Sequence, residues 1–388
     1  MPDNLTIRVL TSTRDIAAES WDACANPAGQ PFNPFVTHAF FDALEASGSA
    51  TAQTGWLGQH LVLENPQGEA LGILPLYLKD HSQGEYVFDH AFADALERAG
   101  GSYYPKLQAS VPFTPATGPR LLVPPGPDEQ AIKHTLANAA IQLAETREAS
   151  SVHITFLPQA DWDLLGAGEA QWLQRTDTQF HWENNGYKSF DDFLATLSSS
   201  RRKNLRKERA AALEHGIQIE WLTGADLQEA HWDAFFQFYM DTGNRKWGTP
   251  YLTRDFFRRI NETMAEHILL VMCTRNGKPV AGAFNMIGSD TLFGRNWGAI
   301  EHHPFLHFEA CYYQAIDFAI SRGLNRVEAG AQGGHKLARG YLPRTTRSLH
   351  HFTDPRLGHA VKHYLKAERT AVAQQQEALE SHSPFRKE

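Results

Sequence analysis

Leu269–His302 reads LLVMCTRNGKPVAGAFNMIGSDTLFGRNWGAIEH. An apolar run, the polar turn RNGK, a second apolar run, the turn GSD and a third run rich in aromatics follow one another. Short apolar runs bounded by Gly, Asn and Asp predict three strands joined by tight turns, a β-meander. Then the period changes. Phe308, Tyr312, Ala315, Ile316, Ala319 and Ile320 recur at helical spacing, Gly323 can supply the residue past the helix end, and NRVEAG (Asn325–Gly330) predicts one more short strand.

The same grammar occurs earlier. LVLENPQGEALGILPLYLKDHSQGEYVFDHAFAD (Leu61–Asp94) predicts strand, Gly turn, strand, Gly turn and a third strand. Ile132, Leu136, Ala139, Ala140 and Leu143 follow at helical spacing, and SVHITFL (Ser151–Leu157) predicts a strand. The Pro-rich insertion VPFTPATGPRLLVPPGP (Val111–Pro127) makes this first copy longer. The economical architecture is α/β, two related units, each a mostly antiparallel sheet flanked by helices. The polar run ENNGYKSFDD (Glu183–Asp192) is the natural boundary, giving an N-terminal lobe over 1–182 and a C-terminal lobe over 183–388 that contains a basic helix over 199–215.

At 388 residues with 42% hydrophobic content the chain reads as a folded protein of two or three domains' worth of core. Its formal net charge of −8 argues against a broadly basic nucleic-acid face, so any polyanion contact is local. No apolar run is long enough for a membrane span, and MPDNLTIRVL lacks the basic flank and apolar core of a signal peptide, so a cytoplasmic protein is expected. Cys24, Cys273 and Cys311 imply neither a disulfide framework nor a thiolate zinc site. The histidines, among them His302, His303 and His307 and the pair His359 and His363, come without HExxH or paired CxxC, and no metal is expected. GxSxG, GxxxxGK[ST] and a strand-linked GxGxxG are absent, which removes the main support for hydrolase, NTPase and dehydrogenase chemistry.

Six longer motifs carry a family resemblance: NPFVTHAFFDALEASGS (Asn33–Ser49), KDHSQGEYVFD (Lys79–Asp89), YYPKLQASVPFTPATGPRLL (Tyr103–Leu122), RKWGTPYLTRDFF (Arg245–Phe257), HFEACYYQAIDFA (His307–Ala319) and VEAGAQGGHKLARGYLP (Val327–Pro343). Together they resemble a bacterial family of Fem-like, GNAT-related proteins of peptidoglycan biosynthesis or recognition, over nearly the whole chain. The resemblance implies tandem GNAT-like lobes. It also implies N-acyl transfer to a primary amine, with aminoacyl-tRNA as donor in Fem-like relatives and acyl-CoA in ordinary GNAT enzymes.

Acyl transfer to an amine needs an anchor for the donor, a base for the ammonium and donors for the oxyanion. Glu328 sits on the short strand before a Gly-rich turn, Glu309 opens the helix after the meander, and His335 and Tyr341 follow the glycines; these four are the catalytic candidates. Lys336 belongs to the same loop. Arg245, Lys246 and Trp247 occupy a Gly- and Pro-bounded loop suited to holding a carboxylate or a flat ligand. Strand alternation places Arg295 and Trp297 on one side. His81, Glu85, Tyr104 and Lys106, with Lys79, Ser82 and Asp89 nearby, read either as a surface hairpin or as the second wall of a groove for the acceptor.

SSSRRKNLRKER (Ser198–Arg209) places Arg201, Arg202, Lys203 and Arg206 in the first turns of a helix, where positive charge opposes the dipole. One reading is an anion site for CoA, a nucleotide-linked precursor or a tRNA end, and the other is a solvated helix. The loop EHHPFLHFEA (Glu301–Ala310), which follows the meander, contains no glycine for close approach to a pyrophosphate, so a CoA donor is doubtful. The expectation is an N-acyltransferase without metal, acting on a small-molecule or peptide amine, with tRNA binding disfavoured by the overall charge. The rival is a non-catalytic module that recognises peptidoglycan or its precursor.

Overall fold

The computed structural model describes residues 5–167, 171–246, 250–330 and 333–386. In chain order its strands are β1 (Thr6–Leu10), β2 (Trp56–Gly58), β3 (His60–Glu64), β4 (Ala70–Leu74), β5 (Tyr77–Lys79), β6 (Lys106–Ala109), β7 (Ser151–Thr155), β8 (Leu173–Glu183), β9 (Ile217–Leu222), β10 (Ile268–Arg275), β11 (Lys278–Ile287), β12 (Thr291–Ala299), β13 (Arg326–Glu328) and β14 (Leu342–Phe352). The chain forms two units, Met1–Asp177 with Thr345–Ala373, and Thr178–Arg344 with Gln374–Glu388. A boundary drawn once, at 182, does not contain the late return to the first unit. That return is made by β14, whose Ser348–Phe352 stretch pairs antiparallel with β7.

In the first unit the strands run β2-β5-β6-β7-β14, with a separate small sheet β1-β3-β4. In the second they run β8-β13-β12-β11-β10-β9. Both units share one pattern. Antiparallel steps, two in the first unit and three in the second, lead to a parallel pair, β6 with β7 or β12 with β13, and a further antiparallel strand follows. Each parallel pair is bridged by a helix, Glu129–Thr146 in the first unit and Gln314–Ser321 in the second, as a parallel connection requires.

The second meander forms as the sequence predicts, β10 to β12, and Gly323 takes the left-handed conformation (φ +66°) that ends the following helix. The first meander departs from expectation. After the β3–β4 hairpin the chain leaves that sheet, β5 joins the other one, and Glu85–Asp89 forms no strand. The reason lies in the side chains: Glu85 and Asp89 are both buried, turned inward to Lys106.

Every residue of β10 from Ile268 to Cys273 is buried, which explains its unbroken apolar run. One face packs on the helix Gln314–Ser321 through Leu269, Val271, Ala315, Ile316 and Ala319. The other face is covered by aromatics of the helices Glu229–Lys246 and Arg254–Met264. There Phe284 meets Trp232 and Phe257 at ring separations of 6.0 and 5.7 Å. The basic helix runs Ser199–Ala212 with Ser198 at its N-cap, and Gly216 (φ +78°) turns the chain into β9. No described helix is long and apolar enough to cross a membrane.

Candidate functional site

The parallel pairing of β12 with β13 covers Thr291 to Phe293 and stops at Glu328, while β12 continues beside β11 as far as Ala299. Beyond Phe293, therefore, the β13 side of β12 is open among the described residues. Ile300 N–H donates to Val280 O at 3.0 Å, so the antiparallel alternation directs the backbone groups of Gly298 and Asn296 toward β11 and those of Ala299 and Trp297 away from it. At Ala299 the outward groups are taken: its N–H donates to Thr242 Oγ1 at 3.2 Å, and its carbonyl accepts from Arg245 Nη2 at 2.8 Å. Trp297 presents its N–H and C=O at the open stretch.

Arg295 is the extra residue of a β-bulge, because Asn285 pairs with Gly294 and the next β11 residue, Phe284, pairs with Asn296. The bulge breaks the alternation expected to put Arg295 and Trp297 on one face. Trp297 opposes Ala283 and packs with the cluster that contains Tyr312 and Val327. Asn296 opposes Phe284 on the other face, and Glu328, paired with Phe293, belongs to that second face.

On the Trp297 face stands a group of rings and hydroxyls. Trp297 and His307 lie 5.4 Å apart, His307 and Tyr312 5.5 Å, and Phe308 and His335 5.5 Å. Tyr312 OH and His335 Nε2 are 3.1 Å apart. His335 is exposed, and its pKa is lowered by partial burial and by the neighbouring Arg339 and Lys336, which leaves it neutral at neutral pH. Tyr312 belongs to a π-helical turn, Glu309–Tyr313, inserted between Leu306–Phe308 and Gln314–Ser321. Such turns add one residue to a helix and re-aim its side chains.

Three catalytic candidates are buried. Tyr341 is fully buried and donates to Tyr312 O at 3.0 Å, so its hydroxyl is not available to an oxyanion. Glu309 is fully buried and accepts from Arg209 Nε and Nη2 at 3.1 and 2.8 Å and from Gln314 Nε2 at 2.7 Å; it is a counter-ion inside the π-turn rather than a solvent-facing group at a helix start. Glu328 is buried near His181 Nε2 (3.9 Å) and Arg326 Nη1 (3.8 Å), across the sheet from His335. Burial and the fields of Arg326 and Arg344 push His181 down to about 3, so it is neutral beside that carboxylate. Lys336 is buried with Nζ donating to Ala329 O at 2.5 Å and Gly330 O at 3.1 Å, its pKa lowered to about 8 by burial. It fastens the turn after β13 instead of facing a ligand.

Arg245 is exposed and paired with Asp241 at 2.6 Å as well as with Ala299 O. Trp247 and the side chain of Lys246 lie outside the described residues. In the first unit, Lys106 is fully buried, donating to Glu85 at 2.6 Å, to Asp89 and to Ser82 at 2.8 Å. Glu85 and Lys106 are thus core ion partners and not a groove wall, while Tyr104 OH meets Ser82 Oγ at 2.8 Å and His81 Nε2 meets Thr54 O at 3.0 Å. Tyr103 OH donates to Asp89 at 2.7 Å and lies 3.1 Å from His153 Nε2, and His153 Nδ1 meets His350 Nδ1 at 2.7 Å.

Of the basic stretch, Arg206 pairs with Asp191 at 2.9 Å, and Arg201, Arg202 and Lys203 make no ion pair among the described residues. Arg209, which sequence reasoning did not single out, carries the internal contacts. The spacing gives Tyr312 as an apolar helix position, and nothing in it announces the π-turn. Among the described residues no group of three or more His, Cys, Asp or Glu is arranged to hold a metal ion.

The structure of FemX aligns with 89% of this chain and 98% of its own at TM-score 0.53 and 12% identity. L-PGS from Bacillus licheniformis aligns with 87% of this chain and 98% of its own at TM-score 0.50 and 10% identity. A tandem GNAT protein from the clavulanic acid biosynthesis pathway overlays more loosely, at TM-score 0.46 and 13% identity over 90% of this chain and 98% of its own. At such identities the likeness to FemX and L-PGS speaks for the fold alone, an α/β fold of two units, each a mostly antiparallel sheet flanked by helices. No curated protein matches the chain. The sequence matches the FemAB-like family, described as peptidoglycan biosynthesis/recognition, across residues 12–387, and the chain belongs to that family.

Proposed function

We propose that this protein is an N-acyltransferase that moves an acyl or aminoacyl group from a thioester or ester carrier, acyl-CoA or aminoacyl-tRNA, to a primary amine of a peptidoglycan precursor peptide. The observation that carries this reading is the open edge of β12 beside the Tyr312–His335 pair. A strand edge binds an extended, amide-bearing chain through backbone hydrogen bonds. The N–H of Trp297 is the oxyanion donor in this reading, since such donors stabilise the tetrahedral intermediate of acyl transfer.

The neutral amine attacks the carbonyl carbon and the carbon–sulfur or carbon–oxygen bond to the carrier breaks. The proton released by nitrogen passes to the Tyr312 oxygen while the Tyr312 proton moves to His335 Nε2, and the carrier leaves as thiolate or alkoxide to be protonated from His335. Burial raises the Tyr312 pKa, so the phenol stays neutral and acts as a relay.

The loop after β12 favours the ester donor. Glu301 there is held by Arg275 at 2.7 Å and by His303 at 2.9 Å, and these partners lower its pKa to about 2. A glycine-free loop keeps its backbone from a close approach to a pyrophosphate, and this same feature supports the second reading, recognition of a wall precursor without transfer.

The test is product formation, followed by mass spectrometry, with purified protein, a precursor pentapeptide and either acyl-CoA or aminoacyl-tRNA. Tyr312→Phe and His335→Gln are each expected to lower the rate by about 10²-fold or more, the usual contribution of a positioned proton-transfer group. Absence of product with both donors, alongside measurable binding of the pentapeptide, would leave recognition as the function.

A further inference from the structure

The second unit holds a hollow of about 320 Å³ between the helix Phe190–Thr196 and the basic helix, lined by Ser189, Phe190, Asp191, Leu194, Arg206 and Arg209. That volume is at the small end of those that take small molecules. Arg206 and Arg209, three residues apart, share one helix face. Arg209 lies over the Phe190 ring at 4.3 Å, which fixes the plane of its guanidinium.

The donors are unevenly used. Arg209 Nε and Nη2 donate to Glu309 and Asp317, and Nη1 makes no hydrogen bond among the described residues. Arg206 donates through Nη2 to Asp191 at 2.9 Å, and both side chains are largely exposed, at 59% and 77%. Exposed pairs of this kind contribute little and exchange readily. Phe190 and Leu194 add an apolar wall.

Charge narrows the ligand. Glu309 and Asp317 already match and exceed the charge of Arg209, so a ligand carrying only a carboxylate meets net negative surroundings. A lone amine, in turn, leaves Arg209 Nη1 unused. We propose that the hollow binds a small zwitterionic amino acid with an apolar side chain. Its carboxylate bridges Arg206 and Arg209 Nη1, its ammonium takes Asp191, and its side chain lies on Phe190 and Leu194.

The test is titration calorimetry on the full chain with L-leucine, 4-methylpentanoate and 3-methylbutylamine, which share the apolar body and differ in the charged groups. L-leucine is expected to bind, with each singly charged analogue weaker by about tenfold or more, a difference of about 1.4 kcal/mol. Asp191→Asn and Arg206→Gln are each expected to weaken L-leucine by about tenfold, and Lys207→Gln, outside the hollow, to leave it unchanged. No heat with L-leucine at about 10 mM, equal affinity for the three compounds, or binding indifferent to both substitutions overturns the proposal. None of these outcomes depends on transferase activity.

Discussion

Replacing Lys106 by Met tests the buried ion network of the first unit. Nζ of Lys106 is the shared donor to Glu85, Asp89 and Ser82, and all three charged side chains are at most 3% exposed. Met keeps the apolar stem and removes the charge. Glu85 is left facing Lys79 at 3.8 Å, and Asp89 keeps the Tyr103 hydroxyl. Deleting one partner of a buried ion pair costs about 3–5 kcal/mol, chiefly because an uncompensated charge stays behind. For a domain of this size each kcal/mol moves the melting temperature by about 2–4 °C, so the first unit is expected to melt roughly 6–20 °C lower. Thermal and urea unfolding of the full chain, with Trp21 and Trp56 as buried reporters, measures this. Adding Glu85→Gln and Asp89→Asn to Lys106→Met removes the stranded carboxylates, at the cost of the Lys79–Glu85 pair, and is expected to restore part of the loss. A midpoint shift below about 2 °C for the single substitution, or no recovery in the triple variant, would refute the reasoning.

Acid is expected to weaken the same unit through its histidine pair. Burial and Lys106 push His153 down to about 3, and burial holds His350 well below the ordinary value, so both stay neutral in the native state while the unfolded chain takes up protons below about pH 6.5. The stabilisation is fully present above that pH and falls as pH drops toward 3, by up to about 1.4 kcal/mol per unit for each ring, and equal urea midpoints at about pH 7.5 and 5 would contradict it. Gly298→Ala places a Cβ 2.3 Å from the carbonyl carbon and 2.4 Å from the oxygen of Phe238, both backbone atoms. The helix Glu229–Lys246 must then move off β12 at a cost of about 1–3 kcal/mol in urea unfolding, and a loss below about 0.5 kcal/mol would show that the strand end is not packed this closely.

Much of the second unit was legible because its local signals agree. RNGK and GSD bound runs of strand length, and the helical period resumes at Phe308. The first unit hid its topology in long-range pairing. KDHSQGEYVFD looks like a polar hairpin, and nothing within it reveals that Glu85 and Asp89 face inward, since their partner Lys106 comes later in the chain and His153, near Asp89, later still. In the site, Trp297 and His335 could be picked out by residue type. Two one-residue insertions, the bulge at Arg295 and the π-turn at Glu309–Tyr313, then shifted the faces on which their neighbours project. Period counting assumes an unbroken repeat, so it announces neither insertion, although the core position that it gives Tyr312 is the one found.

The basic stretch, too, changes meaning once its partners are known. A cluster of cations in a chain of net charge −8 invites an external anion. Its inner end, however, is directed at carboxylates of the protein itself. Arg209 holds Glu309 and Asp317, whose pKa values burial raises, and the acidic member Glu208 accepts from Tyr313 and from Arg339, which in turn lies 3.5 Å over Phe308. These contacts grip the π-turn at Glu309, Tyr313 and the helical turn before it. A π-turn is less regular than the helix it interrupts and persists where surrounding contacts fix it. The basic helix therefore holds the backbone that sets Tyr312 beside His335.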